Sequence, residues 1–315
     1  MLLAVAGCGL FTIAAARVAE HGLTGLTAGQ GDLRPALGVV GLLIVTTALA
    51  LRSLRDQARA TRRLTAQVRA ITAPSPPALD EAVASTRLTG RVDLVRADEP
   101  FSFAYGLWRP RVAVSSGLLE GAGPEELLAV LVHERYHVRH HDPAKVVAAR
   151  AASDAYFFLP ALHGLRRRYA TASELAADRR AIAAHGRGAL AGALFRTVRG
   201  PAWDELTTAA AIGGPELLDV RVQQLESGAD GPAPPVSRRQ VVLTAAALAV
   251  IAITLVFTVV SLGGPAAMMR EAMGRDTPGD DMDMGLAGWW WVPVLAVAVA
   301  IRWRRRGRPV DTTVA

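Results

Sequence analysis

Apolar residues gather in runs separated by polar blocks. Leu2 to Ala19 is uncharged apart from Arg17, Ala36 to Leu51 is a second run, and Val241 to Leu262 is the longest. Trp289 to Ile301 is shorter, but Gly285 to Gly288 extend it and its tryptophans suit a membrane interface. A bilayer-crossing helix needs roughly 20 apolar residues, so the pattern predicts four transmembrane helices. A cleaved signal peptide is the alternative for the first run, although no basic residues precede it.

Between the second and third runs lies a long polar block, Arg52 to Arg239. Leu51 to Ala73 reads as a helix closed by the linker Pro74 to Pro77. From Arg91 to Ser115 the alternation becomes strand-like in RVDLVRA, FSFAYG and RVAVS, with turns at Asp98-Glu99-Pro100 and Arg109-Pro110. From Gly123 the pattern is helical, and Pro124-Glu125-Glu126 makes a favourable first turn. Lys145 to Leu165 is moderately apolar, yet Lys145, Arg150 and Asp154 favour a buried helix over a further span. Gly228 to Val236 is a second linker.

Charge orients this plan. The chain carries 35 Lys and Arg and a formal net charge of +7. The basic residues sit at the ends of the apolar runs: Arg52, Arg55, Arg59, Arg62, Arg63 and Arg69 after the second, Arg238 and Arg239 before the third, and Arg302 to Arg308 after the fourth. By the positive-inside rule both termini and the block face the cytoplasm. The expected location is therefore the cell membrane, multi-pass, with membrane lipid as a partner and no direct nucleic-acid contact. The single cysteine, Cys8, excludes an internal disulfide framework and a multi-cysteine metal site.

The stretch HERYHVRHHD, from His133 to Asp142, holds four of the seven histidines. His133 and His137 are one turn apart on a helix, the spacing for two imidazoles on one metal ion. Glu134 stands where the H-E-x-x-H motif puts its general base. A solvated helix end is the alternative, since Arg135, Arg139, His140 and His141 are all charged or polar. The preceding LLAVLV is apolar, however, and burying two imidazoles and a carboxylate without a partner is costly. A hydrolytic zinc site needs a third protein ligand and an open position. Glu174 in SELAADRRAI is the candidate, and Asp178, four residues on, can accept a hydrogen bond from a ligating histidine. Read alone, Glu174 and Asp178 would more readily form a helix face that pairs with Arg179 or Arg180. The residues give no clear oxyanion donor: His140, His141, His163, His185 and Tyr136 each read more simply as structural or exposed.

Together FAYGLWRPRVAVSSGLLEGAGPEELLAVLVHERYHVRHHDP and SELAADRRAI, with PELLDVRVQQLESG more weakly, resemble the BlaR/MecR-type antibiotic-receptor membrane zinc metallopeptidases. More distantly they are similar to the Ste24/HtpX membrane peptidases. The resemblance implies one Zn2+ per chain on His133, His137 and Glu174, with Glu134 as general base and Asp178 supporting the ligands. It also implies a gluzincin arrangement, in which FSFAYG or RVAVS offers a strand edge to an extended substrate. The receptors' penicillin-binding sensor has no counterpart after Ile301, so direct beta-lactam binding is not expected. The loop AAMMREAMGRDTPGDDMDMG reads as a flexible polar loop before it reads as a cation sensor.

The expected fold is a mainly α membrane protein: four transmembrane helices plus a gluzincin-like α+β zinc peptidase domain with a small β-sheet. Residues 1–51 hold two spans, 52–239 the cytoplasmic zinc metallopeptidase domain, 240–262 the third span, 263–287 an extracytoplasmic Met/Asp-rich loop, and 288–315 the last span and a basic tail. The expected activity is zinc-dependent endoproteolysis of a protein substrate, in signal transduction by cleavage of a transcriptional repressor. Membrane-protein quality control and a non-catalytic, zinc-bearing signalling protein are the alternatives.

Overall fold

A computed structural model describes residues 34–198, 215–228 and 235–261. The chain divides into two units. The first holds residues 51–151 and 163–236, and with them the sheet and the histidine helix; the second takes in 34–50, 152–162 and 237–261.

Helix α1 (Arg34–Ala70) leads into the two-residue strand β1 (Thr72–Ala73), and Pro77 opens α2 (Pro77–Ser85) at the position where its missing N–H costs nothing. Strands β2 (Val92–Val95), β3 (Ser102–Tyr105) and β4 (Arg111–Ser115) fall within the three predicted stretches. They form a four-stranded sheet in the order β1-β2-β4-β3. β2 runs parallel to β4, and β3 runs antiparallel to it.

The strand period of two divides the core. Val112 and Val114 of β4 pack with Leu79 and Leu88 and with Leu127, Val130 and Leu131 of α4 (Pro124–His140). Ala113, facing the other way, packs with Phe103, Tyr105 and Val95 beneath Leu64 and Val68 of α1. Ser102 pairs in register with Val114, so its side chain lies on the face that α4 covers. At the end of β4, the Ser115 hydroxyl caps the short helix α3 (Ser116–Gly121) by accepting from Leu118 N–H at 3.1 Å.

α4 ends at His141, whose left-handed backbone (φ 53°) reverses the chain into α5 (Asp142–Ala155). α6 (Ala161–Val198) is broken at Gly186, where φ 81° and ψ 165° are not helical. α7 (Pro215–Ser227) completes the described part of the first unit. In the second unit, the Ala161 N–H donates to Thr244 Oγ1 of α8 (Arg238–Ser261) at 3.0 Å. Lys145 to Leu165 is thus two helical segments, not one, with the break before Ala161.

The four transmembrane helices are not borne out. Among the described residues no helix is long and apolar enough to cross a membrane. The run ending at Leu51 belongs to α1 and spans about 24 Å at the helical rise, against the roughly 30 Å of a bilayer core, before Arg52 and Arg55 interrupt it. The runs 2–19 and 289–301, the loop 263–287 and the terminal tail lie outside the described residues. The described residues do not test the orientation drawn from the arginines.

Candidate metal centre

α4 brings His133, Glu134 and His137 into the first unit's interior. All three are buried, at 8%, 5% and 8% exposure. The two imidazoles face each other, with Nε2 to Nε2 at 3.2 Å. Glu174, from α6, closes the third side: its Oε2 is 3.4 Å from His133 Nε2 and its Oε1 is 3.4 Å from His137 Nε2. One donor atom from each of the three residues lies within 4.8 Å of the others, a grouping able to hold a metal ion.

The outer nitrogens explain why that grouping suits a metal. Asp142 Oδ2 is 2.8 Å from His137 Nδ1, and Asp178 Oδ1 is 2.8 Å from His133 Nδ1, though off the axis of an aligned hydrogen bond. Carboxylates at both Nδ1 positions favour the proton there, leaving each Nε2 with a lone pair. Two lone pairs 3.2 Å apart beside a carboxylate repel unless a cation stands among them. Two imidazoles and a carboxylate are also a donor set that zinc accepts in hydrolytic sites. The residues present therefore fit the ion.

The surrounding carboxylates favour positive charge at this point. Burial opposes a charge on His133, but Asp178 and Glu174 override it and push its pKa up to about 10. His137 is raised as well, against burial, by Glu174 and Asp142. Burial also opposes ionisation of the carboxyls, yet His137, His133 and Arg221 hold Glu174 well below the ordinary range. His133 and Arg221 do the same for Asp178. Asp142 falls to about 2 despite burial, through His137, Ser173 and Tyr169.

Each predicted site residue reaches the centre: His133, His137 and Glu174 as the cluster, Asp178 behind His133, and Glu134 alongside, where its Oε1 accepts from the Ser102 hydroxyl at 2.8 Å. Asp178 is gripped by Arg221, from a different helix. The candidate oxyanion donors are not brought in. His140 stacks on Tyr136 with ring centroids 4.0 Å apart, and His185 contacts Glu125 near the start of α4. Neither they nor His141 and His163 line the cavity at the cluster, which holds about 250 Å³ and is walled by Ser102, Ala104, Val146, Tyr169, Leu194 and Leu217.

Sequence reasoning overlooked four contributors. Asp142 closes the quoted HERYHVRHHD, but only the left-handed turn at His141 folds it back onto His137. Tyr169 and Ser173 each donate a hydroxyl to Asp142, and no local spacing marks them. Arg221 lies in PELLDVRVQQLESG and becomes visible only when α7 is placed against α6.

Protease HtpX homolog 2 of Methanosarcina mazei is 38% identical over 71 residues, covering 22% of this chain and 24% of that protein. The chain thus aligns with about a quarter of the length of this curated relative. No solved structure matches. Residues 35–225, more than half of the chain and all of His133, His137 and Glu174, match the family model described as BlaR1 peptidase M56, and the chain belongs to that peptidase family.

Proposed function

We propose that this peptidase is a zinc-dependent endopeptidase with one ion per chain on His133, His137 and Glu174 and with Glu134 as general base. The observation that carries the reading is the convergence of those three donors on one point with Glu134 beside them. When bound there, zinc supplies Lewis acidity, acidifying water toward neutral pH and polarising a scissile carbonyl. Glu134 receives the proton from the attacking water and passes it to the leaving amine. Ser102 occupies Glu134 Oε1, so Oε2 is the oxygen left to take that proton. Asp142 and Asp178 hold the imidazoles in the tautomer that presents Nε2 inward.

An extended peptide fits the sheet. β4 is already paired on both sides, by β2 and β3, whereas β3 is an edge strand. β3 also carries Ser102 to Glu134, so a chain added at its edge would run past the base. Of the two stretches FSFAYG and RVAVS, the first is therefore the one that receives substrate. The substrate is a protein, and the reading extends to regulated cleavage of a transcriptional repressor.

Purified protein should carry about one zinc per chain, and His137→Ala should lose it. A proteomic comparison of cells with wild type and Glu134→Gln defines the substrate. Stabilisation of one regulator supports signalling, accumulation of many misfolded proteins supports quality control, and unchanged signalling in the variant supports a non-catalytic role.

A further inference from the structure

Four carboxylates, from Glu134, Asp142, Glu174 and Asp178, surround two imidazoles in a buried space. A permanent cation reaches two of them from a distant part of the chain. Arg221 of α7 donates Nε–H to Asp178 Oδ2 at 2.7 Å and Nη2–H to Asp178 Oδ1 at 2.8 Å, the two-pronged geometry in which a guanidinium fits a carboxylate. Its remaining nitrogen, Nη1, lies 3.5 Å from Glu174 Oε2. Asp178 is fully buried and its Oδ1 also faces His133.

We infer that Arg221 is a positioning residue of the metal centre: one guanidinium orients two of the three donors, Glu174 directly and His133 through Asp178. The inference rests on the zinc reading above and deepens it. Without the fork, Asp178 would remain buried beside Glu174 with no cation to share, and the two like charges would push apart. Asp178 would then turn from His133, and Glu174 from the position facing both imidazoles. Lysine could restore the charge at Arg221 but not the two parallel bonds. α7 has a second anchor independent of the carboxylates, because Gln224 Nε2 donates to the Leu175 carbonyl at 3.2 Å. Anchoring the helix and orienting the donors can therefore be separated by substitution.

The test measures zinc affinity by chelator competition in the full chain, with the visible spectrum of the cobalt-substituted protein as a second readout. Arg221→Gln should weaken zinc binding by about 10–100-fold and shift the cobalt bands, Arg221→Lys should fall between it and wild type, and Gln224→Ala should lower the melting temperature but leave affinity and spectrum unchanged. Should Arg221→Gln not fold by circular dichroism, Arg221→Lys carries the comparison, with weakened affinity and shifted bands expected at wild-type helicity. Wild-type affinity and spectrum in the folded Arg221 variants would overturn the inference, as would a Gln224→Ala loss equal to that of Arg221→Gln. Wild type without stoichiometric zinc would instead overturn the reading of the site itself.

Discussion

At the scale of single residues, the centre depends on which atoms hold the imidazoles. Asp142 accepts from the Tyr169 and Ser173 hydroxyls as well as facing His137 Nδ1, so its orientation is set from three sides. Asp142→Asn should weaken zinc binding by about 10–100-fold while Glu134→Gln leaves it intact, as read by chelator competition. Equal affinity in both variants would show that Asp142 does not steer His137. The residues legible in the sequence are those whose spacing a helix dictates: His133 with His137, and Glu174 with Asp178, each one turn apart. Asp142 was not legible because its approach depends on a left-handed residue at His141, and Arg221 because it meets Asp178 from 43 residues away.

At the scale of elements, the sheet is held in register by a polar cluster opposite in character to its core. The Tyr105 hydroxyl and the Arg111 guanidinium converge on Asp93, tying β2, β3 and β4 together. Burial opposes ionisation of Asp93, but Arg111 and Tyr105 leave its pKa lowered. The folded pKa lies below the unfolded one, so the contribution is complete above about pH 4 and is lost as pH falls through the depressed value. Asp93→Asn should cost about 2 kcal/mol in urea unfolding at pH 7, with the gap to wild type narrowing as pH falls below about 4. A gap that stayed constant with pH would contradict this linkage. Gly117 of α3 is constrained differently, because an added Cβ would meet the Asp98 carbonyl oxygen at 1.9 Å. Gly117→Ala should destabilise the protein by about 1–3 kcal/mol or more, measurable in the same titration. The three main strands and α4 were legible from alternation and helical spacing. The apolar runs Ala36 to Leu51 and Val241 to Leu262 were legible as helices, but among the described residues no helix is long and apolar enough to cross a membrane.

At the scale of the whole molecule, the metal cluster, the edge strand β3 and the supporting Arg221 all belong to one unit, and the family match covers them together. That coincidence places a grouping able to hold a metal ion within the stretch that identifies the peptidase family. The spacing in HERYH anticipated the cluster, while the choice between the two candidate substrate edges needed the strand order, which no local pattern encodes. The most direct test compares cleavage of casein by zinc-loaded wild type and by Glu134→Gln at equal zinc content. The account predicts cleavage by wild type, lost on chelation and restored by zinc, and a rate lower by at least about 100-fold in the variant. Cleavage by Glu134→Gln at the wild-type rate would contradict it.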